Sequence, residues 1–171
     1  MDIEIRAADS LSEAERKRVD DIDRQVFESD PYHYMEWSPV NWHVLLKLDG
    51  EWVSYVGIVE RTGAVNGQPV KLGGIGGVGT LPAYRRRGLA EAAMGRAQAF
   101  IRDELQVEFG LLICNQQMIP YYRKLGWQVV EGPLVFNQPG GKLTFDDVTM
   151  ILPCTKSDWL PGVIDLCGPP W

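Results

Sequence analysis

Two neighbouring glycine patterns between residues 73 and 90 are each able to bind a phosphate group. Gly74 to Gly79 has the spacing GxGxxG of a dinucleotide-binding turn, and Arg85 to Ala90 has the shorter pattern RxxGxA. In both patterns, backbone N–H groups without bulky side chains around them would approach the phosphate oxygens closely. The two patterns imply different folds, so the surrounding sequence has to decide between them.

The residues that follow the first pattern argue against a dinucleotide-binding turn. Such a turn needs its last glycine inside the opening of a helix, and Pro82 disfavours helical backbone at Leu81. No strand with an acidic end follows about 20 residues later, because Asp103 falls within a helical stripe of apolar residues. The GxGxxG match is therefore interpreted as accidental.

The second pattern lies where a helix is predicted to begin, since apolar residues recur at helical spacing from Gly88 to about Leu105. The first N–H groups of a helix have no internal partners, and its N-terminus is the positive end of the macrodipole, which favours an anion. Arg85, Arg86 and Arg87 would add positive charge within reach of further phosphates. The alternative is that these arginines are simply solvated ahead of the helix.

Composition limits the class of protein. The chain has 171 residues, is 45% hydrophobic and carries a net charge of −6, which predicts a single domain over residues 1–171. An acidic chain does not suit a nucleic-acid partner; it favours cationic substrates or serves solubility alone. Charges from residue 2 argue against a secretory signal, and no apolar run approaches the ~20 residues that cross a membrane. Three cysteines without CxxC spacing and two histidines predict no disulfide framework and no metal site, in a cytoplasmic chain.

Turn and capping signals divide the chain into strands and helices. Asp49-Gly50 and Asn66-Gly67 each separate two apolar runs, which predicts β-hairpins with type I′ turns. Ser12 to Glu15 has the pattern of a capping box and opens a helix that runs to about residue 28. The aromatic segment 29–42 is broken by prolines, which predicts a loop or short helix that either lines a pocket or only covers the core. A short helix near 118–125 and closing strands near 127–130, 134–137 and 148–152 complete the pattern.

With these elements in order, the sequence resembles the GNAT superfamily of N-acetyltransferases over roughly residues 40–130. The family's acetyl-CoA signature is an Arg or Gln, two residues, a Gly, one residue, and a Gly or Ala. The residues that carry the resemblance are Arg85, Gly88 and Ala90 in the signature, Pro82 before it, and Asn115, Tyr122, Gly126 and Trp127 after it. The resemblance implies an α/β (α+β) fold: a mixed, mostly antiparallel central sheet of about seven strands flanked by helices, with a splay between the two central parallel strands.

The resemblance also implies how acetyl-CoA would be bound and used. The backbone of Val78, Gly79 and Thr80 would pair with the pantetheine arm, and glycines in this strand would make room for pantetheine and substrate. Acetyl transfer needs donors for the developing oxyanion and a proton for the departing thiolate. The family pattern implies the Val78 N–H for the first role and Tyr122 for the second, with Tyr121 as a weaker rival. The implied cofactor-binding residues are Val78, Gly79, Thr80, Arg85, Arg86, Arg87, Gly88, Leu89, Ala90 and Asn115.

The resemblance does not identify the general base that removes a proton from the amine. An alkyl ammonium with a pKa of about 10 must lose a proton before it can attack, and many family members place a Glu on the strand before the signature. Glycines and Ile75 occupy those positions here, so either a water chain or a carboxylate from elsewhere must act. The candidates in the aromatic segment are Asp30, Glu36 and His33.

A narrower resemblance concerns the C-terminal segment DLCGPPW. It is similar to the aminoglycoside 2′-N-acetyltransferase branch, whose chains end in Trp and bring that terminal carboxylate into the substrate site. The catalytic Glu of that branch would align with Gly76, which counts against aminoglycoside activity. Asp30, Glu36 and the Trp171 carboxylate are the predicted amine-binding groups, with a C-terminal segment that simply packs on the core as the alternative.

The sequence therefore predicts an acetyl-CoA-dependent N-acetyltransferase that acts on a primary amine of a small cationic molecule, aminoglycoside-like amines included. A non-catalytic module of the same fold that binds acyl-CoA as a sensor or partner domain is the alternative, favoured by the missing strand carboxylate. Transfer to a protein N-terminus or lysine would need an open groove. A homodimer is left open, and neither nucleic acid nor membrane is expected as a partner.

Overall fold

Both expected hairpins form, and together they build the centre of one large sheet. In the computed structural model, which describes residues 1–29 and 31–171, Asp49 and Asn66 have φ of 53° and 46°. Gly50 and Gly67 follow with φ of 85° and 78°, so both turns have two consecutive positive φ angles, as a type I′ turn requires. These turns join three consecutive strands into an antiparallel unit.

Ten strands and three α-helices form within the described residues. They are β1 (Asp2–Ala7), α1 (Glu13–Val26), β2 (Trp42–Leu48), β3 (Glu51–Val65), β4 (Gln68–Thr80), α2 (Leu89–Asp103), β5 (Phe109–Cys114), α3 (Ile119–Lys124), β6 (Gln128–Val129), β7 (Leu134–Gln138), β8 (Gly141–Phe145), β9 (Val148–Pro153) and β10 (Ile164–Asp165).

The ends of the helices follow their local sequence. The Ser12 hydroxyl accepts a hydrogen bond from the Glu15 N–H (3.3 Å), and the Ser12 N–H donates to the Glu15 carboxylate (2.8 Å), so the capping box that opens α1 is complete. At the start of α2, the N-cap Gly88 has φ of 74°, which is left-handed backbone that glycine adopts without strain. Among the helices that the structure describes, none is both long and apolar enough to cross a membrane.

The central strands separate as the resemblance implies. β4 and β5 are parallel neighbours, but they pair only from Leu72 to Gly74 of β4 and then diverge. On the other side of β4, Val56 of β3 faces Val78 whereas Ile58 faces Ile75. Two residues of β4 therefore oppose one of β3, which is a β-bulge at residues 76 and 77. The fold class is confirmed, although ten strands form in the described residues where about seven were expected.

The sheet curls around one of its faces. Its strand order contains the run β9-β5-β4-β3-β10-β7-β8, so β8 and β9 lie six places apart along the hydrogen-bonded path. In the sequence, however, β8 ends at Phe145 and β9 begins at Val148. A link of two residues can join those strands only if the sheet bends back toward itself. The inner face then buries its own core, which includes Val59, Leu72, Leu111, Leu134, Phe136, Phe145, Ile151, Ile164, Leu166 and Trp171.

Candidate active site

The arginine loop forms a strained turn between β4 and α2. Arg86 has φ of 59°, an uncommon value for a residue with a side chain, and Gly88 follows with φ of 74°. The Arg85 side chain donates from Nε to the Thr80 carbonyl at 3.1 Å, which fixes the loop to the end of β4. The Arg87 guanidinium lies over the Tyr84 ring, 5.7 Å from its centroid. The turn directs the N-terminus of α2 into the space beside β4.

That space is a cavity of about 340 Å³, here called the loop cavity. It contains most of the predicted cofactor-binding residues, and one acid, Glu91, stands among them. The predicted residues in its lining are Val78, Thr80, Arg85, Arg86, Gly88, Leu89 and Ala90. Gly79, Arg87 and Asn115 are not part of that lining; Asn115 lines a second cavity instead.

The second cavity, here called the splay cavity, lies where β4 and β5 diverge and measures about 780 Å³. The β4 bulge forms part of its wall, and the lining includes the carboxyl groups of three aspartates. No Lys or Arg occurs among its described lining residues. The aromatic lining residues are Phe27, Tyr32, Trp37, Tyr55, Tyr122, Phe145 and Trp171, and the polar ones include Asp20, Asp23, Asp147, His43 and Asn115.

The two cavities share a wall made of Val78, Met118 and Tyr122. Tyr122 is carried by α3, and only 8% of it is exposed. Burial raises the pKa of its hydroxyl well above the usual range, and Cys114 and Tyr121 raise it further. The Tyr122 hydroxyl is therefore protonated at neutral pH and is available as a donor at the junction of the two cavities.

Tyr121, the weaker rival for the same role, lies on one side of this junction only. It lines the loop cavity but is absent from the lining of the splay cavity. Its hydroxyl is buried and finds no hydrogen-bond partner among the described residues. Its ring packs edge-to-face on Tyr122, with centroids 5.0 Å apart. The geometry favours Tyr122 for a role that concerns both cavities.

Two of the three aspartates that line the splay cavity, Asp23 and Asp147, accept hydrogen bonds from tyrosines. The Tyr55 hydroxyl donates to Asp23 Oδ1, and the Tyr32 hydroxyl donates to Asp147 Oδ2 at 3.1 Å. Burial, followed by the bond to Asp23, raises the pKa of Tyr55 far above its usual value, so this phenol also stays protonated. Burial lowers the pKa of His43, while the nearby carboxylates of α1 act in the opposite direction.

Trp171 corrects the expectation that the strand glycines make room for pantetheine and substrate. A Cβ at Gly74 would lie 2.0 Å from the Trp171 ring, and one at Gly76 would lie 3.3 Å from the Trp171 Cβ. The space beside these two glycines is therefore filled by this chain's own indole. The ring donates from Nε1 to the Leu111 carbonyl at 3.3 Å, and the Arg61 guanidinium lies 5.1 Å from its centroid. Trp171 both packs in the inner core and lines the splay cavity. Amine binding by its carboxylate stays a prediction.

The remaining candidates from the aromatic segment lie elsewhere. Glu36 is exposed and is absent from both linings; its backbone bonds to the Gln138 side chain of β7. His33 is exposed and lines neither cavity. Asp30 falls outside the described residues. Within residues 1–29 and 31–171, no three His, Cys, Asp or Glu side chains come close enough together to hold a metal ion.

Comparison with known families decides what this geometry belongs to. Residues 7–130, nearly three quarters of the chain, match the family model described as the acetyltransferase (GNAT) domain. The chain belongs to the GNAT acetyltransferase family. No curated protein sequence matches it significantly.

Solved structures of other GNAT acetyltransferases share the fold. A GNAT family acetyltransferase from Brucella melitensis in complex with acetyl-CoA is 14% identical, with a TM-score of 0.64; the match covers 95% of this chain and 94% of that one. The GNAT family N-acetyltransferase YhbS from Escherichia coli in complex with CoA is also 14% identical, with a TM-score of 0.66 and coverages of 96% and 89%. The comparisons do not support the narrower resemblance to the aminoglycoside 2′-N-acetyltransferase branch.

The sequence-based prediction for this GNAT acetyltransferase missed the acids on α1. Asp20 and Asp23 were not selected because an acidic residue on a helix is normally interpreted as part of its solvated face. Together with Phe27 they recur at three- and four-residue spacing, which places all three on one helix face. That spacing, beside the buried Val19 and Ile22, is the signal that could have identified them.

Proposed function

We propose that this GNAT domain transfers the acetyl group of acetyl-CoA to a primary amine of a small cationic molecule. The observation that carries the proposal is a pair of cavities with opposite charge that meet at Val78 and Tyr122. Arg85 and Arg86 line the loop cavity, and Asp20, Asp23 and Asp147 line the splay cavity. A polyanionic donor and a cationic acceptor would each be attracted to its own side of the junction.

The loop cavity has the features that the pyrophosphate of CoA requires. The N-terminus of α2 opens into it and presents N–H groups without intrahelical partners, and Arg86 supplies positive charge. The Gly88 position leaves the approach free, because nothing lies within 4 Å of where a Cβ would stand. The Brucella and Escherichia coli relatives in complex with acetyl-CoA and CoA support the same donor here.

The shared wall supplies the groups that acetyl transfer needs. The Val78 N–H is proposed as the oxyanion donor, next to the bulge that turns β4 out of regular pairing. The Tyr122 hydroxyl is proposed to protonate the sulfur as the carbon–sulfur bond breaks. Asn115, on the acceptor side, is proposed to orient the pantetheine arm as it reaches the junction.

The splay cavity defines the acceptor in general terms. Its aromatic walls suit the carbon skeleton of a small molecule and also the face-on approach of a cation. Trp171 contributes such a wall, and its ring already lies beside one guanidinium. An acceptor that is both cationic and small enough for about 780 Å³ fits this enclosure better than a folded protein surface does.

A panel of amines tests the proposed function directly. Purified protein with acetyl-CoA is expected to release CoA thiol with at least one small cationic primary amine, and to leave neutral amides and carboxylates of similar size untouched. Turnover would also exclude the non-catalytic acyl-CoA-binding module. Absence of turnover with every amine, together with undetectable CoA binding by calorimetry, would overturn the proposal.

The three consecutive arginines offer a matched series for the donor site. We expect Arg86→Gln to weaken CoA binding about tenfold, because one charge-assisted contact to phosphate contributes about 1.5 kcal/mol. Arg87→Gln is expected to weaken it less than threefold, since Arg87 lies over Tyr84 outside the loop cavity. Calorimetric titration of CoA at two salt concentrations checks both values, and only the Arg86 effect should shrink at high salt. Equal losses in the two variants would mean that the arginines act as a diffuse charge.

A further inference from the structure

We propose that Asp23 of α1 is the general base that takes the proton from the amine, in place of the strand carboxylate that this chain lacks. The inference rests on the proposed acetyl transfer and concerns the same cavity. It identifies a catalytic residue on an element that carries no part of the family's signature. Its support is a chain of contacts from α1 to the bulge of β4.

The contacts place Asp23 beside the junction. Asp23 lines the splay cavity together with Gly76, Gly77 and Val78. Its Oδ1 accepts a hydrogen bond from the Tyr55 hydroxyl, and that hydroxyl lies 3.3 Å from where a Cβ at Gly77 would stand. The Tyr55 hydroxyl therefore connects the Asp23 carboxylate to Gly77. The next residue is Val78, whose N–H is the proposed oxyanion donor.

The bulge itself is poorly suited to a titratable side chain. A Cβ at Gly76 would lie 3.3 Å from Trp171 and 3.4 Å from Val40, so a longer side chain would have to displace one of them. Gly77 has φ of 132°, a conformation that residues with a side chain rarely adopt. Close packing at Gly76 and the backbone conformation at Gly77 therefore both disfavour a carboxylate on the strand, and the helix packed against it supplies one.

Tyr55 makes the carboxylate suitable for the task. Only 3% of Tyr55 is exposed, and its high pKa keeps it a hydrogen-bond donor throughout the working pH range. Its bond to Oδ1 orients the Asp23 carboxyl group and leaves Oδ2 for the amine. Asp23 itself is exposed, so a proton received there can pass to solvent.

The other titratable groups around the cavity are less well placed. Asp20 lies one helical turn earlier on α1, and no contact among the described residues links it to the bulge. His43 of β2 is near both α1 carboxylates, and its buried Nδ1 has no partner among the described residues. Asp147 is held by Tyr32 on the wall that follows β8. Asp23 alone in this set is connected to the residue next to Val78.

Acetyl transfer by these groups conserves atoms and charge. The ammonium gives one proton to Asp23 Oδ2, and the freed nitrogen lone pair forms the carbon–nitrogen bond to the acetyl carbonyl. The carbon–sulfur bond then breaks with its electron pair on sulfur, and Tyr122 protonates the thiolate. The nitrogen then loses its second proton to the Tyr122 phenolate, which regenerates the phenol. Asp23 releases its proton to water. The products are an amide, CoA thiol and one solvated proton.

Asp23→Asn and Asp20→Asn form a matched pair for the test. Asn can still accept the Tyr55 hydrogen bond through its amide oxygen, so the variant is expected to keep the wild-type thermal midpoint. With the best amine of the panel at pH 7, Asp23→Asn should lower kcat about 30- to 100-fold and raise KM no more than Asp20→Asn does. Asp20→Asn removes the same charge from the same helix face, and should raise KM while leaving kcat within about threefold.

Two further measurements of kcat distinguish base catalysis by Asp23 from simple attraction of the cationic amine. The kcat defect of Asp23→Asn should shrink to below about fivefold near pH 9.5, where an alkyl amine with a pKa of about 10 is partly neutral without a base. It should also shrink at pH 7 for a weakly basic amine that is already unprotonated. If both variants raise KM alike with kcat unchanged, or if the defect persists at high pH, Asp23 is not the base. In that case the wild-type turnover still supports acetyl transfer, whereas a wild-type protein without turnover overturns both proposals.

Discussion

Tyr122→Phe will lower kcat by about 10²- to 10³-fold and leave the dissociation constant of CoA within about threefold. The ring of Tyr122 forms part of the wall between the two cavities, and phenylalanine preserves that wall. The substitution removes only the hydroxyl. In the wild-type protein the raised pKa of this hydroxyl keeps it protonated at every working pH. The loss should therefore fall on chemistry and leave donor binding nearly intact. Initial rates at saturating substrates, with calorimetric titration of CoA, measure the two effects separately.

Tyr121→Phe is the matched control for this prediction. It removes a buried hydroxyl that has no partner among the described residues, from a neighbouring ring that faces the loop cavity only. Its kcat is expected to fall far less than that of Tyr122→Phe. A larger loss in Tyr121→Phe would exchange the proposed roles of the two residues. Equal losses in kcat and CoA affinity for Tyr122→Phe would indicate packing or binding instead of proton donation.

Gly74→Ala will lower the free energy of unfolding by about 2–4 kcal/mol. The new Cβ would lie 2.0 Å from Cε2 and 2.2 Å from Nε1 of Trp171, well inside van der Waals contact. The indole must move, and its hydrogen bond to Leu111 is lost with it. Urea unfolding followed by tryptophan fluorescence measures the change. Gly95→Ala is the control: nothing lies within 4 Å of that site in α2, so it should stabilise by about 0.5–1 kcal/mol.

A double-mutant cycle tests the assigned cause. Trp171→Ala should cost about 3–5 kcal/mol on its own, because it empties a buried site. In that background Gly74→Ala should cost less than about 1 kcal/mol, since the methyl group enters vacated space. A coupling energy of at least about 1 kcal/mol is therefore expected. Additive effects would mean that Gly74 is required for a reason unrelated to the indole.

The sequence predicted the elements whose signals are local. The turns at Asp49-Gly50 and Asn66-Gly67 formed because each pair of residues accepts positive φ. The capping box set the start of α1, and Gly88 set the start of α2. The family resemblance added the splay between β4 and β5, which no single residue signals.

What the sequence did not predict depends on contacts between distant residues. β10 has only two residues, and it exists because β3 and β7 offer it partners on both sides. Asp23 belongs to the site through Tyr55, 32 residues away, and not through any motif of its own. Gly74 and Gly76 were interpreted as space for a ligand because the residue that fills that space, Trp171, lies nearly 100 positions later. The glycines of a strand indicate that space is free of side chains on that strand. They do not indicate which group, from a ligand or from the chain itself, fills that space.

The curled sheet also constrains how a newly synthesised chain can acquire its structure. Ala64 and Val65 pair with Asp165 and Ile164, and Arg61 bonds to the carbonyls of Leu166 and Pro169. Those partners leave the ribosome about 100 residues later, which corresponds to roughly 5–20 s of elongation. Until then the far end of β3 is an unpaired strand edge beside a groove of bare glycines, the kind of surface that invites association with other chains. The splay cavity is therefore completed only after the C-terminal segment has emerged, because Trp171 forms part of its lining. The two hairpins need no residue from that segment.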